Sequence, residues 1–101
     1  MKKGYYITSK GKKVILKSEK IISVPNMDII ELVLPDGVKN VYCQHNNLTS
    51  LILPKGIEIV YCQHNKLESL VLPEGIEYVL CDYDLFDYSL YLNKNISIAL
   101  I

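Results

Sequence analysis

Two tripeptides carry the residue types best suited to chemistry, Cys43-Gln44-His45 and Cys62-Gln63-His64. Together they supply two thiols and two imidazoles, the ligand count of a tetrahedral zinc site. Cys81 follows at the same spacing, but no histidine follows it. Three cysteines are an odd number, too few to staple a secreted scaffold, and they point to a reducing, cytoplasmic compartment or a host cytosol. The acidic stretch Asp82-Tyr83-Asp84-Leu85-Phe86-Asp87 offers carboxylates for calcium but lacks the turn glycine and the closing bidentate glutamate. No G-x-S-x-G, H-E-x-x-H or phosphate-binding glycine loop occurs, so no enzyme and no cofactor are expected.

The elements that hold these residues repeat. At a fixed offset of 19, Leu34-Pro35, Leu53-Pro54 and Leu72-Pro73 align, each followed by a glycine at Gly37, Gly56 or Gly75. The same offset aligns Val41, Val60 and Val79, then Cys43, Cys62 and Cys81, then Asn46 and Asn65 with Asp84. Such self-similarity marks a solenoid. Val60 and Cys62 stand two apart, as two inward residues of one short strand should. The cysteines are therefore expected in the core as small hydrophobes, with the histidines turned to solvent, and no metal site results. Asn46, Asn65 and Asp84 are expected to point inward and satisfy backbone groups at the coil corners. Leu-Pro-x-Gly is read as a type I turn with proline at its second position and glycine at its fourth.

The fold expected is thus a mainly β repeat solenoid with a short parallel sheet of about five strands, at 22–24, 41–43, 60–62, 79–81 and 98–100. Residues 20–101 form the solenoid. Residues 1–19 lie outside the repeat and read as a capping β-hairpin, Tyr5-Tyr6-Ile7-Thr8 against Lys13-Val14-Ile15-Leu16. No apolar run is long enough for a membrane span, and the basic start is followed by no apolar stretch of a signal segment.

The unit Ile57-x-x-Val60-x-Cys62-x-x-Asn65-x-Leu67 resembles the leucine-rich repeat, as do Val38 to Leu48 and, with Asp84, Ile76 to Phe86. The Leu-Pro step and the 19-residue period are most similar to the compact repeats of bacterial effectors and some viral proteins. What this resemblance implies is a fold, since the architecture serves many partners.

Charge is segregated. Residues 1–20 carry seven lysines against Glu19, a net +6, and residues 21–101 carry a net −6. No arginine is present for bidentate recognition of bases or phosphates, so nucleic acid is not the expected partner. The outward strand positions form two columns, Ser23, Tyr42, Tyr61, Leu80, Ala99 and Ile21, Asn40, Ile59, Tyr78, Ser97. Gln44, Gln63 and Asp82 are expected at their rim, beside His45, His64 and Tyr83. Tyrosine gives large contact area at little rotamer cost and is enriched at interfaces. The expected partner-binding stripe is therefore Tyr42, Ile59, Tyr61, Tyr78, Leu80 and Tyr83, with His45 and His64. The uncharged segment Ile96-Ser97-Ile98-Ala99-Leu100-Ile101 is an uncapped strand, and homodimerisation is expected through Ile96, Ile98 and Leu100. The function expected is a freestanding protein–protein interaction module, a stoichiometric inhibitor or adaptor. That format suits a phage or mobile-element inhibitor of a host defence protein such as a CRISPR nuclease. The alternative is a nucleic-acid-associated or charge-mimicking protein using its basic hairpin and acidic solenoid.

Overall fold

The computed structural model describes residues 3–82 and 97–100, all of them in strands, turns or irregular backbone with no helix among them. The described residues form eight strands in order: β1 (Gly4–Thr8), β2 (Lys13–Leu16), β3 (Ile21–Ser23), β4 (Ile29–Val33), β5 (Asn40–Tyr42), β6 (Ile59–Tyr61), β7 (Tyr78–Cys81) and β8 (Ser97–Leu100). They form a parallel sheet of five strands, in the order β3-β5-β6-β7-β8, and a second sheet of three, in the order β2-β1-β4.

The parallel sheet has the solenoid-like stacking that the period implies. Val41 faces Ile22 on one side and Val60 on the other, and Val60 faces Val79, each pair one period apart. The strands begin one residue earlier than expected, because Asn40 and Ile59 already donate to the carbonyls of Lys20 and Lys39. The ladder also runs past the assigned ends, since the Cys43 amide donates to the Tyr61 carbonyl at 2.8 Å and the Cys62 amide to the Leu80 carbonyl at 2.9 Å. Alternation therefore carries the cysteines inward with the valines. Val41, Val60, Val79, Cys43, Cys62 and Cys81 are all wholly buried. The returning half of each coil seals this core with Leu32 and Leu34, Leu51 and Leu53, Leu70 and Leu72.

The turn departs from expectation. The Ile57 amide bonds back to the Pro54 carbonyl, so Pro54 opens the turn and Gly56 takes its third position. Gly56 has φ 92°, as the third residue of a type II turn requires. A positive φ there excludes a β-branched or bulky residue, which explains the glycine better than crowding at the fourth position does.

The amino-terminal hairpin is present, with β1 antiparallel to β2, but its second partner is a strand the repeat did not reveal. β1 also pairs antiparallel with β4, Tyr5 opposite Val33 and Tyr6 opposite Leu32, with a bulge between Ile7 and Thr8. The approach is so close that a Cβ on Gly4 would overlap the Val33 carbonyl. Tyr6 enters the common core. The first coil's returning segment thus becomes a strand because a neighbour supplies its hydrogen bonds, whereas the equivalent segments at 48–52 and 67–71 remain irregular. Asp28 fastens this corner, accepting from the Ser9 hydroxyl and from Asn47 Nδ2.

Two successive coils are each tied to the one before by an asparagine. Asn46 Oδ1 accepts from the amides of Met27 and Ile29 at 3.0 Å, and its Nδ2 donates to the carbonyls of Val24 at 2.9 Å and Cys43 at 3.0 Å. Asn65 repeats the motif one coil later, accepting from Leu48 and donating to Cys43 and Cys62. The inward role expected for Asn46 and Asn65 is therefore observed, while Asp84 lies outside the described residues. Asn46→Ala would orphan several backbone groups at a buried corner and should destabilise the fold by about 3 kcal/mol. Asn65, half-buried and with fewer bonds, should cost less. Urea unfolding of both variants checks this order; a smaller loss for Asn46→Ala would contradict it.

Candidate functional site

The outer face of the parallel sheet presents side chains in registered columns, because parallel pairing at a constant offset places like positions side by side. Tyr42 lies opposite Tyr61, and Tyr61 opposite Leu80, with Ala99 beyond. Asn40, Ile59, Tyr78 and Ser97 form the adjacent column. The rings touch across it. Tyr42 and Tyr61 meet edge to face at 4.8 Å between centroids, and Tyr61 meets Tyr78 at 5.8 Å with the rings tilted by 53°. Both geometries suit the aromatic quadrupole. Tyr42, Ile59, Tyr61, Tyr78 and Leu80 are each half-buried, which leaves a connected apolar and aromatic surface. Tyr83 and Ile96 lie outside the described residues, and Ile98 and Leu100 belong to β8, partly packed on the core.

At the end of these strands His45 and His64 stack in parallel, their centroids 4.4 Å apart and their planes 16° from coplanar. Both are exposed and hold positive φ, 57° and 58°, in the slot where the first coil has Asn26 at 54°. Left-handed backbone at these corners favours Asn, Asp, His or Gly over branched residues. The two imidazoles therefore lie alongside each other on the surface while the two thiols sit in the core, and the four groups do not converge. Among the described residues no three His, Cys, Asp or Glu side chains come together in a metal-binding group.

The glutamines depart from the expected rim. Gln63 is buried and Gln44 half-buried, and among the described residues the Oε1 atom of each is enclosed without a hydrogen-bond partner. Strict alternation would turn both outward with Tyr42 and Tyr61, so their enclosure is a departure from the strand pattern. Asp82, in the equivalent slot, accepts from the His64 amide at 2.8 Å.

The repeat alone did not single out the returning face. Ile52 is 83% exposed and Val71 79% exposed, the two most exposed large apolar side chains described. They border shallow grooves of about 310 and 330 Å³, floored in part by Leu34 and Leu53. A signal was present: Leu51-Ile52-Leu53 and Leu70-Val71-Leu72 must turn their middle residue outward if both leucines face the core.

Comparison with protein-family models, with curated proteins and with solved structures found no match to this chain. Fold and site define the class instead: an all-β protein whose parallel sheet stacks in solenoid-like coils and displays an aromatic face. No described segment is a helix long and apolar enough to cross a membrane.

Burial pushes the Cys43 and Cys81 thiols up to about 12 and raises Cys62 further. Thiolate is the reactive form, so all three should resist a thiol reagent at pH 8 and react together in urea. Rapid labelling of the folded chain would contradict the core placement. Linkage follows the same sign: the folded pKa values lie above the unfolded one, so this contribution is complete below pH ~9 and is lost as pH rises towards about 12. Alkaline unfolding should therefore set in across that window.

Proposed function

We propose that the chain is a leucine-rich-repeat-type protein-binding module that acts by covering a surface of a larger protein, as a stoichiometric inhibitor or adaptor. The observation that carries this reading is the continuous contact from Tyr42 through Tyr61 to Tyr78 on one sheet face. A connected aromatic surface of this kind is what protein interfaces use for their central anchors, because rigid rings with a polar tip lose little entropy when they dock. Ile59 and Leu80 enlarge the apolar centre, and His45 with His64 supplies polar groups at its border. Slots just ahead of the strands hold Lys20, Lys39, Glu58 and Glu77 in turn, so the border changes sign along the sheet and gives a partner a preferred orientation.

Immobilised wild-type chain should retain a specific partner from a lysate of its native host, identified by mass spectrometry. The triple variant Tyr42→Ala, Tyr61→Ala, Tyr78→Ala should lose at least 90% of that capture, since anchors of this size each contribute about 2 kcal/mol or more. Ile52→Asp with Val71→Asp, on the opposite face, should leave it intact. Capture that survives the tyrosine changes and fails with the Ile52 and Val71 changes would transfer the function to the returning face.

A further inference from the structure

The two ends of the parallel sheet are complementary to each other. β3 turns one set of backbone groups toward β5: the Val24 amide donates to the Tyr42 carbonyl at 2.8 Å, and the Lys20 carbonyl accepts from Asn40 at 2.9 Å. Alternation then points the amides and carbonyls of Ile21 and Ser23 the other way, and no described strand pairs with that edge. The hairpin joins β4 on the returning side and does not reach β3. At the far end the Ser97 amide donates back to the Glu77 carbonyl at 2.9 Å, so Ile98 and Leu100 turn their backbone groups away from β7.

These outward groups, unpaired among the described strands, are in the phase that the repeat uses internally. The 19-residue offset puts Ile21 and Ser23 in the slots of Asn40 and Tyr42, and Ile98 and Leu100 in the slots of Val41 and Cys43. A second copy placed one strand beyond β8 would receive the Leu100 amide on its Ser23 carbonyl, as Cys43 bonds to Tyr61 inside the chain. Ile98 and Leu100 would meet that copy's Ile22 and Val24, which lie in the core of the first coil. Charge selects the same arrangement. Residues 1–20 carry a net +6, whereas residues 82–101, the stretch of sequence that includes β8, hold Asp82, Asp84 and Asp87 against Lys94, a net −2. Pairing two β8 edges by a two-fold axis would instead set acidic coil against acidic coil.

We propose that the chain assembles head to tail, the β8 edge of one copy adding in parallel to the β3 edge of the next, so that the sheet and its 19-residue register continue across the junction. A heterologous contact of this type does not close after two subunits and generates open oligomers. The junction is independent of the tyrosine face.

Sedimentation velocity of the full chain tests this. Weight-average mass should climb past the dimer as concentration rises, and fall back when salt is added, because the contact joins opposite charges. Ser23→Pro deletes the outward amide that would bond to Ile98 while leaving the β5 side untouched, and should remove every species above monomer. Ser23→Ala should assemble as wild type does. If Ser23→Pro fails to fold, Lys17→Glu with Lys20→Glu should also abolish growth. A strictly monomeric wild type, a mass that stops at the dimer, or unchanged assembly of the charge-reversed variant would each overturn the proposal.

Discussion

Everything in this molecule depends on how a 19-residue coil satisfies its backbone where it leaves the sheet. A coil this short turns sharply, and the corner leaves buried amides and carbonyls that no strand can pair. Asn46 meets that demand with one side chain, accepting from two amides of the preceding coil while donating to carbonyls on both coils. The amide spans the junction, so it sets the spacing and register of one coil on the next. With register fixed, valine falls on valine, cysteine on cysteine and tyrosine on tyrosine.

The core and the outer face are therefore two consequences of one alternation. Val41, Cys43 and their repeats point in and are sealed by leucines from the returning segments. Tyr42 and Tyr61 point out and meet each other because their strands do. In such a face each ring is held by its neighbour, Tyr61 touching both Tyr42 and Tyr78. The glutamines pose a cost within the same scheme, since among the described residues two enclosed Oε1 atoms have no donor.

Much of this was legible in the residues, and the reasons are specific. The offset of 19 appears in Cys43, Cys62 and Cys81 and in the three Leu-Pro steps, so the parallel stacking and both outward columns could be read directly. Three features could not. The pairing of β1 with β4 depends on a contact between the unrepeated hairpin and the first coil, and periodicity carries no information about a segment outside the repeat. The turn's position does not follow from Pro35 and Pro54, which suggest the usual second-position site for proline, whereas the positive φ of the glycine decides it. The burial of Gln63 could not be read either, because alternation puts it in the outward phase of Tyr61 and periodicity does not report how closely neighbouring side chains cover that position.

The central claim is that coils stack in parallel, one period apart, and thereby place the tyrosines side by side. A nuclear Overhauser spectrum of the chain tests it most directly. Cross-peaks should join the methyl groups of Val41 and Val60, and the ring protons of Tyr42 and Tyr61, whose centroids are 4.8 Å apart. Strong contacts between residues at any other offset, or an antiparallel pattern between residues 40–42 and 59–61, would contradict it.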